Sequence, residues 1–535
     1  MRFGSALALA ALLAAPAGGA ELATPFEASG ARALPSSAEI SGYLARLVEA
    51  RPEAAALVPL GTSAGGRPLE ALRLSDRAAF LAEGRPDPAT ARVLLVGSQH
   101  GTEPSGAEAL QQLARELAAG DLRPLLARLD VVVVANANPD GRDLRRRTNA
   151  ARVNLSTDFV LMTQPETRAL AGLLRSFAPH AVLDLHESAL WKRRTLGAQG
   201  WLTDFEAQVE HANHPNVDPR LAAFARERFV PALLRRIEAS GLRAQPYVGE
   251  IVDASQVVTH GGLTLRNLRN YAGLGGALSI LVENRLDPPG RPYPTPRNLA
   301  ARVRKQALSA RAFLELVLRE GDALRARSDS ARRGWRRPAP VTLRVAWAPD
   351  PARPQIEIPL RRVDTGALVP RRFAYRGRIE LGDRIELPAA YVLPRAGAAL
   401  RALLAAHGIA LEPVSATLDA RVVVQRVSAV ERIPRSIGGV EVAADVALET
   451  EESIETRRIG VGAVRVPLGQ PAARLAALLL EPRSSTGIFR SSAFAAGLAP
   501  GDELPPLRLL ERPGTGAAAS GGERAGARGA PFGYP

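Results

Sequence analysis

The amino-acid sequence predicts an α/β fold: a mostly parallel or mixed central sheet with helices on both faces, followed by a smaller β-rich C-terminal domain. Three observations lead there. Four short, nearly wholly apolar runs, 93–96, 131–134, 181–185 and 277–282, have the length and composition of strands buried on both faces. Segments of helical period separate them, the pattern of a parallel sheet with crossover helices. After residue 325 the texture shifts to short alternating runs, the mark of strands with one solvated face.

Residues 1–20 carry Arg2 as their only charge, an apolar run over 6–15, and small residues to Ala20, the layout of a secretory signal peptide. The run is shorter than the ~20 residues a membrane span needs, so export without a transmembrane segment is expected, secreted or periplasmic. The spacing of Ile40, Leu44, Leu47 and Val48 predicts a helix over 36–51. Runs 58–60 and 69–74, flanking Gly65-Gly66-Arg67-Pro68, read as a strand pair. The 93–96 strand breaks at Gly97 and Gly101, and a helix follows over 105–119. Strand 130–136 stops at Asn138-Pro139-Asp140-Gly141, a strong turn. A helix over 168–176, the 181–185 strand, a helix-rich insertion best seen over 219–240, the 277–282 strand and a helix over 296–318 complete a domain at 21–325. The stretch 326–340, with Arg336-Arg337-Pro338-Ala339-Pro340 at its end, reads as a linker. The β-rich domain spans 341–511, with strands at 341–347, 378–381, 422–427, 440–448 and 459–466 and helices at 397–407 and 470–480. The Gly/Ala/Arg-rich tail 512–535 has little to bury and is expected to be disordered.

The 535 residues exceed what one core usually organises. Hydrophobic content of 46% and charged content of 23% are those of a soluble globular protein. The formal charge of +15 raises nucleic acid as a partner. It is almost all Arg, spread along the chain, with Lys only at Lys192 and Lys305, and no nucleic-acid-binding signature accompanies it. No nucleic-acid partner is expected. The absence of Cys excludes disulfides, thiolate metal sites and cysteine nucleophiles. No oligomeric state is expected from the sequence.

The chemistry begins where the first buried strand ends. His100 and Glu103 lie three apart at its carboxyl end, where open α/β sheets place ligands. They are two thirds of a catalytic zinc site, which takes three protein ligands and leaves one position open. His186, ending another apolar strand, is the third candidate, better placed than His180, His211, His214, His260 or His407. Glu283, at the end of the fourth strand, can take a proton from an activated water; a salt bridge to Arg285 or Arg291 is its bland alternative. Arg147, with Asn149, follows the Asn-Pro-Asp-Gly turn, and a fixed guanidinium there would stabilise an oxyanion.

This arrangement resembles the zinc carboxypeptidase family, the carboxypeptidase A-like metallopeptidases, and in its C-terminal extension around Leu480-Glu481-Pro482 it looks like some bacterial members. His100-Gly101-Thr102-Glu103 resembles the family's ligand pair, and Asn138-Pro139-Asp140-Gly141 its turn. Arg147-Thr148-Asn149-Ala150 resembles the oxyanion segment, Asp184-Leu185-His186 the third-ligand strand, and Leu281-Val282-Glu283 the strand of the general base. The resemblance covers about 39–318 and implies one Zn2+ per chain, held by His100, Glu103 and His186, with Glu283 and Arg147 catalytic. The chain departs from the family at Ser156-Thr157, where an Asn-Arg pair usually grips a substrate's terminal carboxylate. Arg266, Arg269 or Arg152 could substitute for that grip, and Tyr271 or Tyr247 for the family's mobile tyrosine. Asn149, Arg269 and Tyr271 are therefore the candidate substrate-binding residues.

The expected function is a secreted metallocarboxypeptidase. A zinc deacylase or amidase acting on acylated amino acids or cell-wall peptides is the alternative, supported by Ser156-Thr157. A non-catalytic binding protein on a peptidase scaffold is the reading from a different class, and the intact ligand set with its base argues against it.

Overall fold

The computed structural model describes residues 22–188, 195–286, 299–334, 339–437 and 440–510. The signal peptide expected at 1–20 and the tail at 512–535 lie outside the described residues.

Among the described residues up to 286 there are nine strands: β1 (Ala55–Thr62), β2 (Pro68–Leu74), β3 (Ala91–Gly97), β4 (Leu129–Val134), β5 (Ala181–Ser188), β6 (Trp201–Thr203), β7 (Ala207–His211), β8 (Ala244–Pro246) and β9 (Leu278–Arg285). Eight of them form one mixed sheet in the order β1-β2-β4-β3-β5-β9-β7-β8. Its centre, β4-β3-β5-β9, is parallel, so three neighbouring strands deliver their carboxyl ends to one edge.

Alternation along these strands decides what each face packs against. Val93, Leu95, Val131, Val133, Leu183 and Ile280 point into one core with the helices Ser37–Ala50, Ser105–Ala119 and Leu299–Gly334. Leu94, Val96, Val132, Val134 and Val182 point into a second core. That second core is shared: helix Pro165–Phe177 contributes Leu170 and Phe177, and the C-terminal region contributes Tyr391, Leu393, Val464 and Leu478–Leu480. The other face of the C-terminal six-stranded sheet has its own small core around Val392, Val422, Val424 and Leu507.

Two local expectations are corrected. The closing helix runs from Leu299 to Gly334, through the first nine positions expected as linker. Gly321, Leu324, Ser328 and Ala331 are buried at three- and four-residue spacing, so the apolar stripe continues past 318 and holds the helix on the sheet. The hydroxyl of Ser328 donates to Gly276 O and Arg332 Nη2 to Pro179 O at 2.6 Å, which ties its last turns down. The run 341–347 is two short strands, Val341–Thr342 and Val345–Ala348, and 422–427 and 440–448 are parts of a hairpin of two twenty-residue strands, Leu418–Ile437 and Val440–Ile459. Strand Gln355–Arg362 also pairs with β6, so backbone hydrogen bonds join the two parts of the chain.

Candidate metal centre

β3 ends at Gly97, and the chain then turns through Ser98, a non-glycine residue at φ 54. Its hydroxyl donates to Glu103 O, and Glu103 N–H donates to His100 O, closing the turn before helix Ser105–Ala119. A glycine is required at 101, because a Cβ there would stand 1.9 Å from the carbonyl carbon of Gly141. That contact brings in the Asn-Pro-Asp-Gly turn. Asn138 accepts from Gly141 N–H at its own helix start and donates to Gln99 O at 3.0 Å. Asp140 accepts from Ser63, from the backbone of Gly65 and Ala150, and from Arg67. The motif is a clamp that binds the His100 loop, the β1–β2 turn and the segment carrying Arg147 to one another.

At the centre, ligand atoms of His100, Glu103 and His186 lie within 4.8 Å of one another, all three residues buried. His100 Nδ1 is 2.9 Å from Glu103 Oε1; His186 Nδ1 is 3.0 Å from Glu103 Oε2 and 3.2 Å from His100 Nδ1. The far side of each ring fixes its tautomer. Ser156 gives its own hydroxyl proton to Asn154 Oδ1 at 2.9 Å, so at 2.7 Å it accepts from His100 Nε2–H. His186 Nε2 is 3.2 Å from the Asp184 carboxylate, an acceptor only, which Gln99 also contacts at 2.6 Å. In the neutral rings Nδ1 is therefore the nitrogen left to offer a lone pair, and both Nδ1 atoms face the same point. Two imidazole lone pairs and a carboxylate converging on one buried point are the donor set of a catalytic zinc site.

The strand register brings Glu283 level with His186 across β5 and β9. Its Oε2 is shut off from solvent and, among the described residues, has no hydrogen-bond partner. Burial pushes Glu283 up to about 8, against the pull of His186 and with the push of Glu103. The bland alternative to Arg285 fails: Arg285 donates to Asp204 O at 3.0 Å and to Glu206 at 3.1 Å. Arg291, the other partner weighed, lies outside the described residues. Burial alone would lower His186, but Asp184 and Glu103 raise it well above the ordinary histidine value. His100 is lowered, burial outweighing Glu103. Arg147 donates to Glu103 Oε1 at 2.7 Å with its side chain half exposed, so its guanidinium faces both the cluster and solvent.

The three candidate substrate-binding residues are not brought to this cluster. Asn149 is fully buried, donates to Gln164 and Glu166 and accepts from Val153 N–H, which is the role of a loop anchor. Arg269 is buried against Glu210, with further bonds to Asn213 and Gly262 O. Tyr271 lies in the shared core, its hydroxyl 3.2 Å from His407 Nδ1, beside the residues that enter β5 and β9 rather than those that leave them. Asn149, Arg269 and Tyr271 thus have their polar atoms engaged by the protein itself. Arg266 is likewise taken, by both oxygens of Asp445 at 2.9 and 3.1 Å.

Some supports of the site carry a faint sequence signal and some carry none. Asp184 sits two residues before His186, on the same face of one strand, and that spacing marks it. Arg302 and Gln306 come from the long helix 115 and 120 residues away. Arg302 grips Glu187 with two bonds of 2.8 and 3.0 Å, and Gln306 donates to His186 O at 2.7 Å. Nothing local announces them.

The sequence profile described as zinc carboxypeptidase matches residues 40–158. That span includes His100, Glu103 and Arg147 and stops short of His186 and Glu283. Carboxypeptidase 2 of Trichophyton rubrum is 30% identical over 202 residues, 36% of this chain and 37% of that protein. Carboxypeptidase SOL1 of Arabidopsis thaliana is 33% identical over 149 residues, 25% of this chain and 29% of that protein. The chain thus spans less than two fifths of the length of the curated relatives it matches. Among solved structures, the metallo-carboxypeptidase from Burkholderia cenocepacia aligns with a TM-score of 0.40 and 22% identity, covering 54% of this chain and 70% of that one.

Proposed function

We propose that this chain is a zinc-dependent peptidase of the metallocarboxypeptidase type, exported from the cytoplasm. The observation that carries the reading is the convergence of His100 Nδ1, His186 Nδ1 and the Glu103 carboxylate beside the partnerless Glu283 Oε2. The profile match and the carboxypeptidases to which the chain is similar support it. The reading as a bacterial member with a C-terminal extension is part of the same proposal. Export rests on the composition of residues 1–20, and no described helix is long and apolar enough to cross a membrane.

Zinc held by His100, Glu103 and His186 supplies Lewis acidity that lowers the pKa of water and polarises a carbonyl. The protein's own groups do the rest. Glu283, whose proton affinity burial raises, accepts the proton of the attacking water and returns it to the leaving amine. Arg147, anchored at one nitrogen on Glu103, presents the rest of its guanidinium to the oxyanion. Asp184 and Ser156 keep the two imidazoles in the tautomers that binding requires.

A second reading, a zinc amidase or deacylase, is favoured by one set of contacts. Ser156 is spent on His100, Arg269 on Glu210 and Arg266 on Asp445, which removes three positions from which a terminal carboxylate could be gripped. Hydrolysis of an N-blocked dipeptide should be compared with that of its C-terminal amide, before and after chelation and zinc restoration. A metallocarboxypeptidase cleaves the free acid faster, loses activity to the chelator and regains it with zinc. Faster cleavage of the amide selects the second reading. Absence of turnover on either substrate with one zinc bound rejects both.

A further inference from the structure

A cavity of about 320 Å3 lies at the far end of the same strands, between the residues that enter β5 and β9 and the C-terminal region. Ala178 and Pro179 precede β5, and Gly275 and Ala277 precede β9; His407, Gly408 and Arg474 close it from the other side. At 3.3 Å per residue, the five steps from Ala181 to His186 put it roughly 17 Å or more from the metal cluster. Its volume is at the lower edge of the range for small-molecule pockets.

We infer that this cavity binds a small amphiphilic anion, a carboxylate or phosphate on an apolar body. Three guanidiniums, Arg175, Arg332 and Arg474, border it, and no carboxylate is among its lining residues. Arg332 spends Nη2 and Nε on the carbonyls of Pro179 and Gly275, and its Nη1 makes a long ion pair with Asp329 at 3.7 Å. Among the described residues neither that Nη1 nor Arg474 Nε has a hydrogen-bond acceptor. Arg175 extends along Gly408, whose φ of +71 and missing side chain leave it room, and reaches toward the Tyr271 hydroxyl. Among the described residues neither Arg175 nor Arg474 has a carboxylate partner. Three guanidiniums around one void with no carboxylate in its wall make it attractive to an anion, which can take bidentate bonds from them. Leu174, Leu274 and Leu475 supply the apolar part of the wall, which a bare inorganic ion would not use. Because both parts of the chain line the cavity, an occupant bridges them and stabilises their contact.

The test uses the full chain with octanoate, octyl phosphate, inorganic phosphate and octanol, followed by calorimetry and thermal unfolding. Octanoate or octyl phosphate binds one to one and raises Tm, and which of the two binds more tightly names the head group; inorganic phosphate and octanol bind at least tenfold more weakly. Arg474→Met weakens the anionic amphiphile at least tenfold; exposed Arg175→Met does the same if the first variant fails to fold. Binding by neither anionic probe at millimolar concentration overturns the inference. So does unchanged affinity in a folded variant, which places the probe elsewhere, or equal affinity for inorganic phosphate, which removes the apolar requirement.

Discussion

The parallel strands at the centre of this molecule end in two opposed electrostatic settings. Where β3, β5 and β9 finish, imidazoles sit among carboxylates: His186 has Asp184 at 3.2 Å and Glu103 at 3.0 Å. Where β5 and β9 begin, His407 has a guanidinium near it and no carboxylate against it: it touches Tyr271 and Val160 O and has Arg175 nearby. Burial is almost the same, 4% exposed for His186 and 1% for His407. Yet the first is raised well above the ordinary value and the second is pushed down to about 4. Burial disfavours the charged ring at both ends, and the carboxylates that accompany a ring into the interior decide whether that penalty is overcome. The metal-site end is built from charges that complete one another, whereas the other end carries an excess of one sign.

The sharpest way to break this comparison is Glu283→Gln. If the metal-site end is catalytic, losing the proton acceptor cuts turnover by roughly 10²-fold or more. Zinc content, read by elemental analysis on the same sample, stays at one per chain, since Glu283 is not among the proposed ligands. Near-normal turnover with zinc retained would remove Glu283 as the base, and lost zinc would make it a ligand.

Asp184→Asn tests whether a carboxylate is what sets the His186 ring. The amide oxygen can still accept from the His186 ring, but it carries no charge. Zinc affinity falls on the order of 10- to 100-fold, the usual scale for an outer partner of a metal-bound histidine. A competition titration against a chelator of known affinity measures it, and an unchanged constant would mean that Asp184 only packs.

The opposite end is read out by acid. His407 and His211 are pushed down to about 4 and His214 to about 3, all by burial. The unfolded chain binds protons at these rings near 6.5 while the fold keeps them neutral. The stability they contribute is complete above pH 6.5 and is lost as pH falls toward 4. His407 alone accounts for about 3 kcal/mol across that window. Urea midpoints at pH 7 and pH 4.5 check the slope, and His407→Gln should flatten part of it. An equal slope in that variant would locate the acid sensitivity elsewhere.

Ser156→Ala is expected to have the smallest effect. It removes the acceptor of His100 Nε2–H but leaves Asn154 Oδ1 at 3.0 Å from that nitrogen. Zinc affinity should drop about 5-fold, near 1 kcal/mol, the worth of one hydrogen bond with a substitute at hand. A drop as large as that of Asp184→Asn would show that the hydroxyl, and not Asn154, holds the ring.

Much of the metal centre was legible because its signals are local. A run of branched apolar residues ended by Gly97 fixes a buried strand and its exit, and His100 and Glu103 follow within six residues. His186 and Glu283 were legible for the same reason, each at the end of such a run. Arg269 shows where that reasoning stops. An Arg in an Arg-rich chain is free in sequence to serve a substrate, and only the approach of β7 reveals Glu210 waiting for it. The long helix makes the same point: its stripe of Gly321, Leu324, Ser328 and Ala331 is too weakly apolar to read as buried until the sheet is placed beneath it.

By itself, then, the sequence marked the four central strands, the Asn-Pro-Asp-Gly turn and the candidates His100, Glu103, His186 and Glu283, because period and spacing are written within a few residues of each. The tertiary structure alone decided which partner each charge found: Ser156 under His100, Arg302 on Glu187, Glu210 on Arg269, and no carboxylate among the residues lining the cavity beside Arg474. Such pairings depend on distances of a few ångströms between segments tens to hundreds of residues apart, and a Coulomb interaction that falls with distance and rises with burial has no counterpart in local order along the chain.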